Sequence, residues 1–310
     1  MDVAAELDRH RPYLVGVAYR MLGSVHAAED VVQEAYVRAE RAERTGRDGD
    51  DEIAEPRAWL TRIVTRLALD ELRSARSRRE SYTGPWLPEP LVGPVVGTGA
   101  PLVPPSSAPA DPGDRITLDE QVTFALMTVM ESLSPAERAV YVLHEAFGVP
   151  LSEVAPLVGR SPAACRQLAS RARRHLAERS PRFDPDPGDQ ARVVDAFRRA
   201  TQTGDMDALA RLLDTDVRLV ADGGGIVNAS RRPLEGRDGV LRAVRAFVRQ
   251  ASSDVTLAPV DVDGQPGLVA RFGDQIAVLV FVVLGGRITH IDVVANPEKL
   301  AHLTGRFRAP

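Results

Sequence analysis

Apolar residues recur at helical spacing through the first eighty or so positions of the chain. Tyr13, Val17 and Met21 form one stripe, Val32, Ala35, Tyr36 and Ala39 a second, and Leu60, Ile63, Leu67 and Leu72 a third. Three amphipathic helices are predicted, and Pro56 opens the last of them. The second helix is acidic near its start (Glu29, Asp30, Glu34), where the helix dipole favours negative charge. The pattern then stops. Between about Ser81 and Arg115 there are nine prolines and no amphipathic period, which predicts a semi-extended tether. Trp86-Leu87-Pro88-Glu89-Pro90 stands out there, because solvated linkers rarely carry such apolar bulk; it is expected to dock on a folded domain.

Helical spacing returns from about 116 to 182. Leu118, Val122, Ala125 and Val129 predict one helix, and Ser134-Pro135-Ala136-Glu137 starts the next with a capping box, followed by Val140, Leu143 and Phe147. Leu151, Val154, Ala155 and Val158 predict a third helix, which Gly159 ends. Pro156 within it predicts a bent or shortened element. Ser161-Pro162 then caps and opens a fourth, with Cys165, Leu168, Ala172 and Leu176 facing inward. This pair reads as a helix–turn–helix.

From about 187 to 310 the class changes. Ala191, Val194 and Phe197 predict one short helix and Leu209, Leu212 and Leu213 another, split by Gly204-Asp205. Val217, Leu219 and Ala221 alternate as a strand ending at Asp222-Gly223-Gly224-Gly225, and Val240, Val244 and Phe247 predict a further helix. Strands follow near 254–262, 267–273, 275–284 and 287–294, with a hairpin turn at Gly285-Gly286. The fold class is therefore multidomain: two all-α domains (1–80 and 116–182) joined by a proline-rich linker (81–115), then an α+β cone (187–310).

Charge sharpens this picture. The chain has 310 residues and a net charge of −4, yet Arg160 to Arg182 holds seven arginines against one carboxylate, Glu178. Arg166, Gln167, Ser170, Arg171 and Arg174 fall opposite the inward stripe of the fourth helix, and these side-chain types reach base edges and phosphates. The helix that follows Pro56 is a second basic face, with Arg57, Arg62, Arg66, Arg73, Arg76, Arg78 and Arg79 against Asp70 and Glu71. Local basic faces on an acidic chain point to nucleic acid. The longest apolar run, Ile276 to Leu284, is too short to span a bilayer, and the charged N-terminus is not a signal peptide, so a cytoplasmic protein without membrane attachment is expected. A single cysteine, Cys165, excludes an intramolecular disulfide and a cysteine-cluster zinc site.

Four runs of residues, with the helix–turn–helix, resemble the conserved domains of bacterial extracytoplasmic-function (ECF) sigma factors. They are Ala28 to Tyr36, with Ala58 to Ile63 and Ala68 to Arg73, and then Leu133 to Arg138. The last segment resembles a SnoaL-like, nuclear-transport-factor-2-like domain, fused in one subgroup of that family; Trp86 to Pro90, Asp222 to Gly225 and Asn296 to Leu300 carry this likeness. The resemblance implies a transcription initiation factor rather than an enzyme, with no cofactor and no metal. Its implied partners are core RNA polymerase (the β′ clamp coiled coil and the β flap) and promoter DNA at the −35 and −10 elements. Asp30, Gln33, Glu34, Val37 and Arg38 would dock on polymerase. Arg62, Arg66, Asp70, Arg73 and Arg76 would bind the −10 element, with Trp59 read as core. Arg166, Gln167, Ser170 and Arg171 would contact or approach bases of the −35 element, and Arg173 and Arg174 phosphates. Arg66 stands where some relatives carry an asparagine, and Pro156 is atypical, so promoter sequence stays open.

The last domain admits three roles: catalysis, with Asp222, His290 and Asp292 as candidates; a pocket for a small ligand; or regulation by protein contact. The third is favoured, because Trp86, Leu87, Pro88, Asp222, Gly223, Gly224, Gly225, Asn296, Pro297, Lys299 and Leu300 are otherwise unexplained. These are expected to form contacts with the sigma domains, the Trp86–Pro90 run acting as intermediary. A ligand-responsive helix–turn–helix regulator is the competing reading. The first eighty residues separate the two, since a repressor needs no polymerase-docking helix beside a second basic one.

Overall fold

The computed structural model describes residues 3–45, 55–79, 82–93, 123–179, 187–250 and 255–303. They fall into two compact units. The first holds Met1–Glu80, Val103–Val122 and Leu126–Arg179; the second holds Ser81–Leu102, Thr123–Ala125 and Ser180–Pro310.

The first unit is all-helical: α1 (Val3–Leu22), α2 (Val25–Thr45), α3 (Pro56–Arg79), α4 (Phe124–Met130, whose first two residues are grouped with the second unit), α5 (Pro135–Val140), α6 (Leu151–Val158) and α7 (Pro162–Arg179). Tyr13, Val17, Met21, Val32, Ala35, Ala39, Leu60, Leu67 and Leu72 are buried as their spacing predicts, while Tyr36, Ile63 and Trp59 are only half-buried. In α4 the buried side chains are Phe124, Ala125, Met127 and Met130; Ala125 is buried as predicted, Val129 is half-buried, and Leu118 and Val122 lie outside the described residues. Ser134 and Glu137 form the expected capping box. After α5 the chain widens into a π-turn at Tyr141–Ala146, where Phe147 N donates to Val142 O at 3.1 Å. The extra residue brings Val142 and Ala146 into the core beside Leu143 and Phe147. Helix α6 is only eight residues long, with Pro156 exposed and Gly159 closing it in the left-handed conformation at φ 66°.

In the second unit, α8 (Pro187–Thr203), α9 (Met206–Leu212) and α10 (Arg237–Gln250) accompany β1 (Leu213–Asp222), β2 (Leu234–Glu235), β3 (Thr256–Val262), β4 (Gln265–Phe272), β5 (Gln275–Leu284) and β6 (Arg287–Val294). Leu213 begins β1 rather than ending a helix, and β2 is too short to show an alternation in the sequence. The sheet order is β2-β1-β6-β5-β4-β3, with β1 parallel to β6 and every other neighbour antiparallel. Gly285 and Gly286 turn β5 into β6 with positive φ at both positions, as the predicted hairpin requires.

The two sheet faces are covered differently. Leu219, Phe281, Leu268 and Ile291 pack under the helices with Val194, Phe197 and Leu209. On the opposite face Val220, Val260, Val269, Val278, Val280 and Val294 pack with Leu87, Val92, Phe124, Leu300 and Leu303. Residues 82–93 are thus no free tether. They lie on the sheet and continue along its β3 edge, where Gly93 N donates to Asp261 O at 2.9 Å and Asp263 N to Leu91 O at 3.0 Å. The edge strand that carries Pro259 is thereby partly covered.

Candidate nucleic-acid interface and linker lock

Helix α7 is positioned from both ends of its helix–turn–helix. Ser161 Oγ accepts from Ala164 N at 3.2 Å to start it, and Cys165, Leu168, Ala169, Ala172 and Leu176 bury its inner face. Arg166, Gln167, Ser170, Arg171, Arg173 and Arg174 are all exposed, as the sequence pattern requires. Two arginines flanking this outer face are held by carboxylates: Arg171 Nε lies 3.3 Å from Glu137 Oε1, and Arg173 Nε 3.6 Å from Glu145 Oε1. Partial burial raises the Glu137 carboxyl, but hydrogen bonds from Ser134 and the charges of Arg171 and His175 outweigh it, so its pKa falls below the ordinary value.

On α2, Asp30, Gln33, Glu34 and Arg38 are exposed and Val37 half-buried, one outward face of the helix. Glu34 accepts from Arg38 Nε at 2.8 Å. Along α3, Arg62, Arg66, Asp70 and Arg73 are exposed, and Arg73 pairs with Asp70 at 3.1 Å. The Arg76 side chain lies outside the described residues.

The three unexplained motifs meet in the second unit. Asp222 is fully buried, and each carboxylate oxygen takes two donors. Oδ1 accepts from Tyr82 Oη at 2.6 Å and Gly224 N at 3.0 Å; Oδ2 accepts from Leu87 N at 2.9 Å and Lys299 Nζ at 2.7 Å. Lys299 also donates to Leu87 O, and its ammonium sits 3.9 Å from the Trp86 ring centroid and 5.2 Å from that of Tyr82. Asn296 Nδ2 donates to Tyr82 Oη at 2.9 Å, while Asn296 Oδ1 caps the turn at Glu298 N. Both backbone groups of Leu87 are therefore read by one buried ion pair. Burial, and then the bond to Asp222, push the Tyr82 phenol well above its usual pKa. The glycines follow from crowding: a Cβ on Gly224 would sit 2.4 Å from Asn296 Nδ2, and one on Gly225 2.9 Å from Thr83 Cβ. Pro88 and Leu300 are buried here, and Pro297 is exposed.

His290 and Asp292 share a face, as their spacing on β6 requires, and hydrogen-bond at 3.0 Å. That face is not the one beneath the helices. Asp292 pairs in register with Val220 and Val280, which belong to the linker-covered side, and is itself buried. Asp222, the third catalytic candidate, is taken up by Lys299. A cleft of about 220 Å³ opens instead between Thr83–Pro85 and the glycine loop, with Asn228, Ser230 and Arg231 on its wall.

Some of these contacts gave no sequence signal. Tyr82 and Thr83 precede the tryptophan motif, and nothing in their spacing marks them. Arg138 looks like a surface arginine of an amphipathic helix, yet it is 1% exposed; its Nε donates to Arg20 O at 3.1 Å and its Nη1 to Glu131. Beside it, Tyr13 meets Phe147 edge-to-face at 5.2 Å and Arg57 lies 3.9 Å over the Tyr13 ring. The first-segment helices and the helix–turn–helix segment thus pack as one body within the first unit.

Known proteins match along nearly the whole chain. Sigma-70 region 2 matches residues 7–78 and Sigma-70, region 4 matches residues 123–176. The ECF RNA polymerase sigma factor SigJ of Mycobacterium tuberculosis is 38% identical over 96% of this chain and 93% of its own. The probable ECF RNA polymerase sigma factor SigI of the same organism is 38% identical, covering 96% of this chain and 94% of its own. The crystal structure of SigJ superposes with a TM-score of 0.72 at 34% identity, covering 96% of this chain and 98% of that one.

Proposed function

The chain belongs to the ECF RNA polymerase sigma factors, and from that premise we propose how its surfaces divide the work of promoter recognition. It is an alternative sigma factor, lending core polymerase its promoter specificity. The outer face of α2, with Asp30, Gln33, Glu34, Val37 and Arg38, docks on the β′ clamp coiled coil, and the helix–turn–helix segment meets the β flap. The exposed stripe of α3 binds the melted −10 strand, for which a cationic surface is needed. Helix α7 enters the −35 major groove, with Arg166, Gln167, Ser170 and Arg171 at or near base edges and Arg173 and Arg174 on phosphates.

The second unit acts as a built-in regulator. The observation that carries this is the buried Lys299–Asp222 pair closing on Leu87, because it ties the connector between the two sigma segments to the C-terminal domain. A catalytic role finds less support, since Asp222 is committed to the lock and His290 and Asp292 lie away from the helix-lined face. A separate ligand-responsive repressor would leave the α2 and α3 faces without a task. Run-off transcription with purified core polymerase decides: promoter-specific transcripts are expected only when this chain is added. Repression of a transcript made by another sigma factor, with none of its own, would overturn the reading.

A further inference from the structure

Recognition by an arginine depends on where its guanidinium already points before DNA arrives. A long side chain free to rotate gives up conformational freedom on binding, and one held in place gives up less. On α7 the two cases sit side by side. Arg171 is exposed but paired through Nε with Glu137, a residue on a different helix and itself half-buried. Glu137 is held in turn: its Oε2 accepts from Ser134 N at 3.1 Å and from Ser134 Oγ at 2.6 Å, leaving Oε1 turned to the arginine. One turn further along α7, His175 Nε2 lies 2.8 Å from Ser132 Oγ, which donates its own hydrogen to Val129 O at 2.6 Å. Helix α7 is therefore held to α5 through Arg171 and to the turn before α5 through His175, at two successive positions on the same face.

A carboxylate beside a DNA-facing helix opposes the attraction of phosphates. Its presence there is accounted for by what it orients. Pairing Arg171 with Glu137 through Nε leaves both terminal amino groups for another partner, and two such groups are what fits guanine.

We infer that Glu137 is a positioning residue for −35 recognition: it fixes Arg171 so that its terminal amino groups meet the DNA in one orientation, and so sets the stringency of the base step that Arg171 reads. The inference rests on the proposed docking of α7 in the −35 groove. Nothing in the sequence marks it, since Glu137 is already explained by the capping box. That double use is what makes the test clean, because glutamine also closes a capping box and Glu137→Gln is compatible with the same fold.

The test uses holoenzyme assembled from the full chain and core polymerase, bound to promoters whose −35 element is substituted one base pair at a time. Arg171→Ala first identifies the base pairs at which discrimination depends on that side chain. Glu137→Gln is expected to relax discrimination at those same base pairs by about fivefold, the lower end for one two-pronged arginine contact, and to leave the others unchanged. In an Arg171→Ala background it is expected to have no further effect on discrimination. Three outcomes overturn the inference. If Arg171→Ala relaxes no base pair, the placement of Arg171 is wrong and the inference goes with it. If Arg171→Ala relaxes discrimination and Glu137→Gln leaves it intact, the placement stands and the positioning role fails. If Glu137→Gln strengthens binding to every promoter equally, the carboxylate acts only through its charge.

Discussion

Lys299 is the only lysine in a chain that otherwise uses arginine for its side-chain cations. A compact ammonium reaches Asp222 Oδ2, Leu87 O and the Trp86 face at once. Replacing it with methionine leaves Asp222 buried with three neutral donors, Tyr82, Leu87 and Gly224. Removing one partner of a buried pair costs about 3–5 kcal/mol, and the remaining donors place this case near the lower end. Lys299→Met is therefore expected to release the linker. In a Trp59→Phe background Trp86 is the sole tryptophan, and its emission should shift to the red; unchanged emission would show that the pair does not hold the segment. Tyr82 adds a pH dependence. Its folded pKa is raised, so its contribution is complete below about pH 10, the ordinary phenol value, and is lost as the solution becomes more alkaline. Tyr82→Phe should remove that alkaline limb.

At the scale of elements, the sequence was legible where a period had room to repeat. The helices of the first unit, the capping box, the turn at Gly159 and the four long strands β3 to β6 all follow from spacing and punctuation. Elements set by tertiary contacts were not. The two residues of β2 exist because they pair with β1 at Arg218 and Leu219, and the π-turn because one more residue must be accommodated before Phe147 can bury. The site divides in the same way. Exposed arginines on α3 and α7 are visible as a stripe, whereas the burial of Arg138 and the part played by Tyr82 depend on contacts 118 and 140 residues away. The triple glycine stands out in the sequence, but its reason, Asn296 and Thr83 lying against it, is tertiary. The outward face of α2 supports a prediction of its own. Asp30 and Glu34 are exposed, with no part in the helix core, so reversing both to arginine should leave the fold intact. Association with core polymerase is expected to be abolished, with isolated −35 binding unaffected. Co-purification at the wild-type level would remove this helix from the polymerase contact.

For the whole molecule, the decisive fact is that the described residues on either side of 94–122 (82–93 and Thr123–Ala125) belong to the second unit. Residues 82–93 lie on its sheet, and Phe124, where the helix–turn–helix segment begins, is buried in the same cluster as Leu87 and Leu300. On the proposed reading, the C-terminal domain acts on polymerase and promoter engagement by holding residues 82–93 on its sheet. Since all the parts share one chain, they meet at a high effective concentration, commonly millimolar for flexible linkers, and a modest interface suffices to keep the connector in place. Polymerase, DNA or a signal needs only a few kcal/mol of preference for the released form to open it. Truncation before Asn296 removes Asn296, Lys299, Leu300 and Leu303 together, the residues that close over the linker. Promoter output is expected to change strongly, and upward, while the helical signature of residues 1–182 is kept. Because this cut also strips apolar side chains from the sheet, Lys299→Met in the intact chain serves as the parallel arm and should move output in the same direction. Truncation before Ala191 removes the whole domain and is expected to lower output relative to the shorter cut, since the support given to the connector is lost with the restraint. Equal output from the intact chain, both truncations and Lys299→Met would mean that the domain's hold on the linker has no part in controlling transcription.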